Sequence, residues 1–600
     1  MSQSLHLFQP QYSIVSSDGT TSHWLPYSVG CLWAYLTQLP DIMARWNSAK
    51  FYYKREPIEQ VLSRIIDPTV CAFSCYAWNE QYCLAMAQAI KNRWSNCLII
   101  FGGPQSNSKY LKHDFIDSIV LGEGEESLAE ILRCQIAGRL PEKFYQKKRL
   151  ENLDIPSPYV LGLFDDIVTQ AGPNTYWHTV LETNRGCPFA CTFCDWGSTT
   201  YSKIKKFDLS RIESELAWIR DHRVTTLFLA DANFGIFKER DLEIARLMRS
   251  YLEYSDVDYI NPTYSKNSNE TIFQIAKELG TLTKSVTLSM QSMNPATLRA
   301  IKRENLRSND LKELLTLSEK YDIGTYTEMI LGLPEETLES WCAGMCQLLE
   351  MGQHNYIDVF FASLLENSEM NLTQTQQFKL KTVKSNNFMR GSFQDESNIN
   401  ETVDIVCETS TMTKNEMCRA FMYSWVIQNF HLSGYSQILS KYCRHVLGIS
   451  YRDFYDRLNL RLQNDDGELG GYYKSISTHC QNILESGDIT DTGLEVHMFL
   501  SAGVYNLYQM LTRVIEFSIS VAQEFGDINP SIIDIQRRFV INDTWLGETI
   551  VNSDYNLTTW EIMNCAYILK PKHDNLKFDE QSLIRYRRRG WMRHSLVLDL

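Results

Sequence analysis

Three cysteines stand close together in the run Asn184-Arg185-Gly186-Cys187-Pro188-Phe189-Ala190-Cys191-Thr192-Phe193-Cys194-Asp195-Trp196-Gly197. The C-x3-C-x2-C spacing of Cys187, Cys191 and Cys194 gathers thiolates that suit a soft metal. Zinc would take a fourth ligand, and no second CxxC lies nearby. Ferredoxin spacings also supply four cysteines. Three thiolates on a four-iron cluster leave one iron without a protein ligand. An open iron can hold a small molecule, which is a catalytic rather than a closed structural arrangement.

Most of the sixteen cysteines are scattered among apolar residues, as small core hydrophobes are. A secreted disulfide scaffold carries that many only in a much shorter chain. The pairs Cys71/Cys75 and Cys342/Cys346 read as buried thiols, with an extra metal site as the alternative. The twelve histidines form no H-x-x-x-H pair, and no P-loop or G-x-S-x-G occurs. An isolated histidine such as His178 reads as a satisfied core or surface group.

The cysteine loop needs a scaffold. From about residue 175, apolar runs predict strands at His178–Thr183, Thr225–Ala230, Tyr259–Pro262, Ser285–Ser289, Gly324–Leu331 and Asp358–Ser363. Helical periodicity fits 209–221, 238–253, 269–279, 295–303, 309–321 and 337–351. Six such units predict a partial parallel barrel, with chemistry at the carboxyl ends of its strands. The cysteines follow the first of these strands.

Residues 1–150 alternate strands at Leu5–Phe8, Lys50–Tyr53, Val70–Tyr76, Cys97–Phe101 and Ser118–Leu121 with helices near 28–37, 57–65, 80–93 and 126–137. The pattern predicts a doubly wound parallel sheet that binds ligands at its carboxyl edge. Ser74-Cys75-Tyr76-Ala77-Trp78-Asn79, Gly102-Gly103-Pro104 and Gly122-Glu123-Gly124-Glu125 fall at that edge. Paired glycines admit a large ligand close to the backbone, and serve equally in tight turns. Residues 151–172, with Pro156 and Pro158, read as a linker. Residues 371–412 are polar, with few strand signals. Beyond them, periodicity predicts helices near 413–430, 435–446, 452–461 and 491–524. The expected fold class is α/β, with domains at 1–150 and 173–375 and a mostly helical domain at 376–600.

Six hundred residues exceed one compact domain, and 44% hydrophobic with 22% charged residues excludes wholesale disorder. No apolar run approaches the ~18 residues of a membrane helix, so no membrane partner is expected. The opening MSQSLHLFQPQYS has neither a basic stretch nor a long apolar core, so no signal peptide is expected and the expected location is cytoplasmic. The net charge of −14 argues against nucleic-acid binding through a global field. Arg585, Arg587, Arg588, Arg589 and Arg593 form a local exception: a solvated basic tail, or a surface for an anionic substrate or partner.

The motif C-x3-C-x-aromatic-C, with Phe193 as the aromatic and Arg185-Gly186-Cys187-Pro188-Phe189 around it, resembles the radical S-adenosylmethionine (SAM) superfamily. Asp231-Ala232-Asn233-Phe234 is similar to the superfamily's Asp-x-Asn-Phe turn, and Gly332-Leu333-Pro334-Glu335-Glu336-Thr337 to its GLPxET turn. The resemblance implies that Cys187, Cys191 and Cys194 hold a [4Fe-4S] cluster. It implies that Gln291 touches the SAM ribose, that Arg303 and Glu328 frame the polar methionyl and ribose groups, and that Phe193, Asp231, Asn233 and Ser292 complete the site. One arginine and one acid are natural partners for a carboxylate and an ammonium. Leu364–Met370 departs from the family's proline-containing turn.

A doubly wound domain ahead of such a barrel resembles the cobalamin-binding class of these enzymes, over roughly residues 1–375. The matching features are Leu25-Pro26-Tyr27-Ser28-x-Gly30, Trp78-Asn79 and the two glycine turns. Cobalamin is then implied at Ser74, Trp78, Gly102, Gly103, Gly122 and Gly124. The D-x-H-x-x-G motif of other cobalamin proteins is missing, so no axial ligand is named. The implied reaction is hydrogen abstraction from an unactivated carbon and its methylation from methylcobalamin. It implies a small-molecule or peptide substrate and an external one-electron donor of the flavodoxin or ferredoxin type. The alternatives are a non-methylating rearrangement or cyclisation, a cobalamin-free radical SAM reaction, and a non-catalytic cobalamin sensor or carrier. The intact cysteine trio argues against the last. The helical domain would close the barrel mouth, with Tyr423, Trp425 and Tyr435 as its wall or as ordinary core.

Overall fold

The computed structural model describes residues 4–15, 20–147, 149–198, 203–266, 270–283, 285–306, 308–321, 323–386, 393–394, 396–487, 506–507, 510–541, 548–553, 569–571 and 582–587. Six parallel strands form the first sheet: Leu5–Gln11, Ala49–Lys54, Val70–Ser74, Leu98–Gly102, Ser118–Val120 and Phe144–Tyr145. Their spatial order is second, first, third, fourth, fifth, sixth. The central strands read as unbroken apolar runs because both faces are covered. Along Val70–Phe73, alternate side chains serve two cores. Cys71 and Phe73 meet the helices Ile58–Arg64 and Glu80–Arg93, whereas Val70 and Ala72 meet Tyr27–Leu36 and Glu125–Ile136. The order reverses between the first and third strands, so the binding crevice of this topology opens beyond Gln11 and Ser74.

The barrel is incomplete. Thr175–Leu181, Val224–Phe234 and Tyr259–Tyr264 run parallel in one sheet, and Ser285–Thr287, Gly324–Leu331 and Ile357–Phe361 in another. Along Gly324–Leu331 the residues Thr325, Thr327, Met329 and Leu331 are buried, while Tyr326, Glu328 and Ile330 are only half-buried. A closed eight-stranded barrel packs its lumen solid, whereas one face of this strand, with Glu328 on it, is only half-buried. The expected strands and helices of both βα series appear close to their expected bounds.

Ser13–Val15, Thr21–Trp24 and Phe144–Tyr145 were not expected as strands. Thr21–Trp24 pairs parallel with Thr175–Leu181, and Ser13–Val15 pairs antiparallel with it and with Phe393–Gln394. The chain therefore leaves the first sheet after Gln11, visits the barrel sheet, and returns in the helix Tyr27–Leu36. Residues 151–172 are packed: Tyr159 and Phe164 are fully buried, and a Cβ on Gly30 would come 2.5 Å from the Phe164 ring.

Residues 371–412 also hold more strand than their composition suggested. Lys381–Ser385 and Val403–Glu408 pair antiparallel. The exposed Lys381 and Lys384 mask the strand signal, while Val403 and Ile405 share one buried face with Val383 and Ser385 opposite. The Val406 N–H donates to Ala362 O (2.8 Å) and the Leu364 N–H to Asp404 O (2.9 Å), so the pair continues the last barrel strand. The helices Lys414–Val426, Gln437–His445, Tyr451–Gln463, Glu468–Ser486, Leu511–Gln523 and Pro530–Ile541 follow. Tyr423, Trp425 and Tyr435 fill a core continuous with the barrel's and do not wall its mouth. Trp341 Nε1 donates to Ser424 Oγ across that junction (2.8 Å). Much of the expected helix 491–524 lies outside the described residues. A three-stranded sheet places Ser582–Arg587, with Arg585 and Arg587, between Glu548–Ser553 and Leu569–Pro571. Arg588, Arg589 and Arg593 lie outside the described residues. Among the described residues no helix is long and apolar enough to cross a membrane.

Candidate active site

The cysteine loop is fastened at its start by Asp231, from the end of the second barrel strand. One carboxylate oxygen accepts the Thr183 N–H (2.7 Å) and Asn184 N–H (3.1 Å), and the other accepts Asn184 Nδ2 (2.7 Å) and the Thr183 hydroxyl. Burial pushes this carboxyl up to about 7 in spite of those bonds. Both oxygens are thus engaged by the loop, and Asp231 anchors it. Arg185 donates to Glu182 (2.8 Å) and Glu125 (2.7 Å), tying the loop to the Gly122–Glu125 turn of the first sheet.

Cys187 and Cys191 are buried and Cys194 is half-buried. Asn233 Nδ2 donates to Cys187 Sγ (3.2 Å), and Lys266 Nζ donates to Cys191 Sγ (3.7 Å). Burial raises the Cys194 thiol, Lys266 opposes it, and the other two thiols raise it further, so the trio shares one neighbourhood. Among the described residues no three His, Cys, Asp or Glu side chains converge on a single metal ion. With Zn–S bonds of about 2.3 Å, a zinc site would bring thiolates within roughly 4 Å of one another. An iron–sulfur cube holds its thiolates wider and asks for thiolates alone, which suits this donor set.

Arg303 is buried, with Nε donating to Asn305 Oδ1 (3.1 Å) and Nη2 to Ser289 O. Its Nη1 is buried and makes no hydrogen bond to an oxygen; the guanidinium approaches the Cys191 sulfur, with Glu328 nearby. Burial lowers this guanidinium, and Cys191 and Glu328 pull it back up. A buried guanidinium nitrogen without an oxygen partner fits an amino-acid carboxylate. Glu328 accepts Ser289 Oγ (2.7 Å), and burial raises its carboxyl. Gln291 sits at φ +65, a conformation costing about 1–3 kcal/mol outside glycine, held by its N–H to Glu328 O and its carbonyl to the Ile330 N–H, each 2.8 Å. Ser292 donates to the buried Glu336, so its hydroxyl is already engaged. Phe193 packs its ring against the barrel core.

At the crevice, Gln9 Oε1 accepts the Ser28 N–H (3.0 Å) and Ser28 Oγ (2.7 Å). Ser28 in turn lies 3.2 Å from Ser74 Oγ and accepts the Tyr76 hydroxyl (3.2 Å). Tyr76 stacks on Trp78 with centroids 4.5 Å apart, and Trp78 Nε1 is buried without a partner. Gly103 has φ +93, and a Cβ there would stand 2.6 Å from Cys75 O. Gly102 has room for a Cβ, 3.7 Å from Val120, and Gly122 has φ +76. Gly124 packs against Leu32, which a Cβ would meet at 3.0 Å. A polar floor, a stacked aromatic pair and close backbone approach suit a broad flat ligand such as a corrin.

Leu364–Met370 joins the two sites. Asn367 Nδ2 donates to Pro104 O (2.6 Å) and Ser106 O (3.1 Å), and Lys109 bridges Glu80 (2.6 Å) and Glu366 (2.7 Å). The Met370 N–H donates to Thr192 O, inside the cysteine loop (2.8 Å). Side-chain amides and acids here do the fastening that a proline turn has no groups to do.

Residues 181–343 match the model of the Radical SAM superfamily. Over 462 residues the chain is 34% identical to the cobalamin-dependent radical SAM methyltransferase TokK of Streptomyces tokunonensis, covering 72% of this chain and 67% of that one. This chain belongs to the cobalamin-dependent radical SAM methyltransferases. It is also 34% identical, over 467 residues, to the 2-(S-pantetheinyl)-carbapenam-3-carboxylate methyltransferase of Streptantibioticus cattleyicolor, covering 72% of this chain and 67% of that protein. The cobalamin-dependent SAM radical enzyme OxsB, solved with aqua-cobalamin and SAM bound, shares the fold at TM-score 0.51 and 13% identity, over 90% of this chain and 84% of that one. The family's cofactors are a [4Fe-4S] cluster, SAM and cobalamin.

Cys71 lies 3.6 Å from Cys97, and Cys346 3.3 Å from the Tyr423 hydroxyl, both buried. They are core thiols. The sequence singled out neither Lys266 nor, within Leu364–Met370, Glu366. Lys266 lies just past a barrel strand and Glu366 in the loop after one, a position that marks them only once the strands are known.

Proposed function

We propose that this methyltransferase methylates an unactivated carbon of a small-molecule substrate in the cytoplasm. When bound, the cluster with SAM supplies a hydrogen-abstracting 5′-deoxyadenosyl radical, and cobalamin supplies the methyl group. The observation that carries the reading is the joint at Leu364–Met370, which bonds the crevice at Pro104 and Ser106 and the cysteine loop at Thr192. A relative that acts on a carbapenam carboxylate supports a small-molecule substrate.

In this reading Cys187, Cys191 and Cys194 hold the cluster, and Asp231 keeps their loop in place. Arg303 Nη1 takes the SAM carboxylate. Glu328 takes the ammonium or ribose hydroxyls, and Gln291 presents its amide to the ribose. Ser74, Trp78, Gly102, Gly103 and Gly122 border the corrin. Burial of Cys187, Cys191, Gln291 and Arg303 keeps water from the cluster side of the centre. An external one-electron donor of the flavodoxin or ferredoxin type supplies the reducing electron.

Anaerobic reconstitution with iron, sulfide and hydroxocobalamin, followed by desalting, is expected to leave about four iron and one cobalt per chain. Turnover is expected to release 5′-deoxyadenosine together with S-adenosylhomocysteine. Iron without cobalt would overturn the cobalamin step. 5′-Deoxyadenosine without S-adenosylhomocysteine would point to a non-methylating rearrangement.

A further inference from the structure

Lys266 follows the third barrel strand, and no motif marks it. Its Nζ lies 3.7 Å from Cys191 Sγ, and its backbone N–H donates to Asn233 Oδ1 (3.4 Å). Asn233 Nδ2 donates in turn to Cys187 Sγ (3.2 Å). Two neighbouring strands thus set a cation on one thiol and an amide on another, and the two groups brace each other. The ammonium also stands 5.8 Å from the centroid of the Phe189 ring, inside the cysteine loop. Among the described residues Lys266 forms no salt bridge, so no carboxylate neutralises it at contact distance. It is half-buried, so salt screens it less than a surface lysine. Arg303, the other cation beside Cys191, spends two of its nitrogens on Asn305 and Ser289.

We propose that Lys266, positioned by Asn233, raises the reduction potential of the [4Fe-4S] cluster. The inference rests on the cluster assignment above. The step concerned is uptake of one electron from an external one-electron reductant, taking the cluster core from charge 2+ to 1+. No bond breaks and no proton moves. A fixed positive charge beside a ligand sulfur favours the more negative reduced state over the oxidised one, as hydrogen bonds to the sulfurs do. Neither group was legible in this role from sequence: Asn233 read as a SAM contact, and Lys266 was not singled out.

The test uses the full chain, reconstituted without SAM, as wild type, Lys266→Met, Lys266→Gln and Lys266→Arg. Iron per chain is measured first, and the reduced-cluster EPR signal is then followed through a redox titration. Both neutral variants are expected to load iron as wild type does. At a fixed potential their ratio of reduced to oxidised cluster should fall about tenfold, a shift of about 59 mV to more negative potential. Lys266→Arg should restore the wild-type midpoint. An unchanged midpoint in an iron-loaded neutral variant overturns the proposal, including the case where only SAM affinity falls. Loss of iron from both neutral variants also overturns it, because the lysine would then serve loop structure. A wild-type chain without any cluster signal would instead overturn the cluster assignment, which keeps the two failures apart.

Discussion

Cys191 sits beneath Lys266 and Arg303, and its neighbour Thr192 donates its N–H to Ile301 O (3.0 Å). Its substitution removes a ligand without unpicking that loop. Cys191→Ala is expected to abolish both iron loading and 5′-deoxyadenosine release. A variant that still released 5′-deoxyadenosine would strike Cys191 from the ligand set. The crevice offers a matched pair of changes. Gly103→Ala meets both a positive φ and the Cys75 backbone, and is expected to lose about 2 kcal/mol or more of stability. Gly102→Ala meets nothing nearer than 3.7 Å and is expected to leave stability unchanged. If the corrin lies over both glycines, cobalt per chain should fall in each variant, while denaturant unfolding separates them.

The strand Thr21–Trp24 shows what an element does that its sequence does not announce. His23 is its buried residue, with Nδ1 2.9 Å from Ser13 Oγ and its ring 5.7 Å from Trp177. Burial first, then the charges of Lys54 and His178, pull this imidazole down to about 4 from an unfolded value of 6.5. The unfolded chain therefore binds this proton more tightly, so the contribution is present above pH 6.5 and lost as pH falls toward 4. His23→Gln is expected to flatten that stretch of the stability profile by up to about 3 kcal/mol. Urea unfolding between pH 7 and pH 4.5 measures it, and an unchanged slope would remove His23 as the source. The regular βα units were legible because the central strands of the first sheet are covered on both faces and read as apolar runs, and the barrel strands alternate between regular amphipathic helices. Thr-Ser-His-Trp is too short and polar to do so, and Gly470-Gly471 hid the helix Glu468–Ser486 by lowering its propensity. In the site, the cysteine trio and Gly103 were legible because the chemistry or the backbone demands those residue types. Lys266 and Glu366 depend on which strands become neighbours, and no local pattern carries that.

At the scale of the molecule, the buried pair Arg55–Glu401 (2.6 Å) holds the segment leading into the strand Val403–Glu408 to the first sheet. Glu401 also accepts the N–H groups of Gln81 (2.8 Å) and Tyr82 (3.0 Å), at the start of the helix Glu80–Arg93. Arg55 lies over the Tyr12 ring (4.4 Å) and donates to Trp78 O (3.2 Å), at the crevice. Breaking a pair of this kind leaves a buried charge, so Glu401→Gln is expected to lose about 3–5 kcal/mol. Arg55→Met with Glu401→Leu should recover part of that loss. Unfolding of Arg55→Met, Glu401→Leu and their double variant closes the cycle, and a double variant no better than these two singles would deny the coupling. The pair spans 346 residues, and a ribosome adding about 5–20 residues per second takes roughly 17–70 s to cross them. Through that interval the first turn of Glu80–Arg93 has no carboxylate over it. Thr21–Trp24 likewise waits for Thr175–Leu181 to leave the exit tunnel. The sheet translated first is thus finished only after about two thirds of the chain has been made, so a nascent chain arrested before residue 401 should remain open to protease in its opening domain.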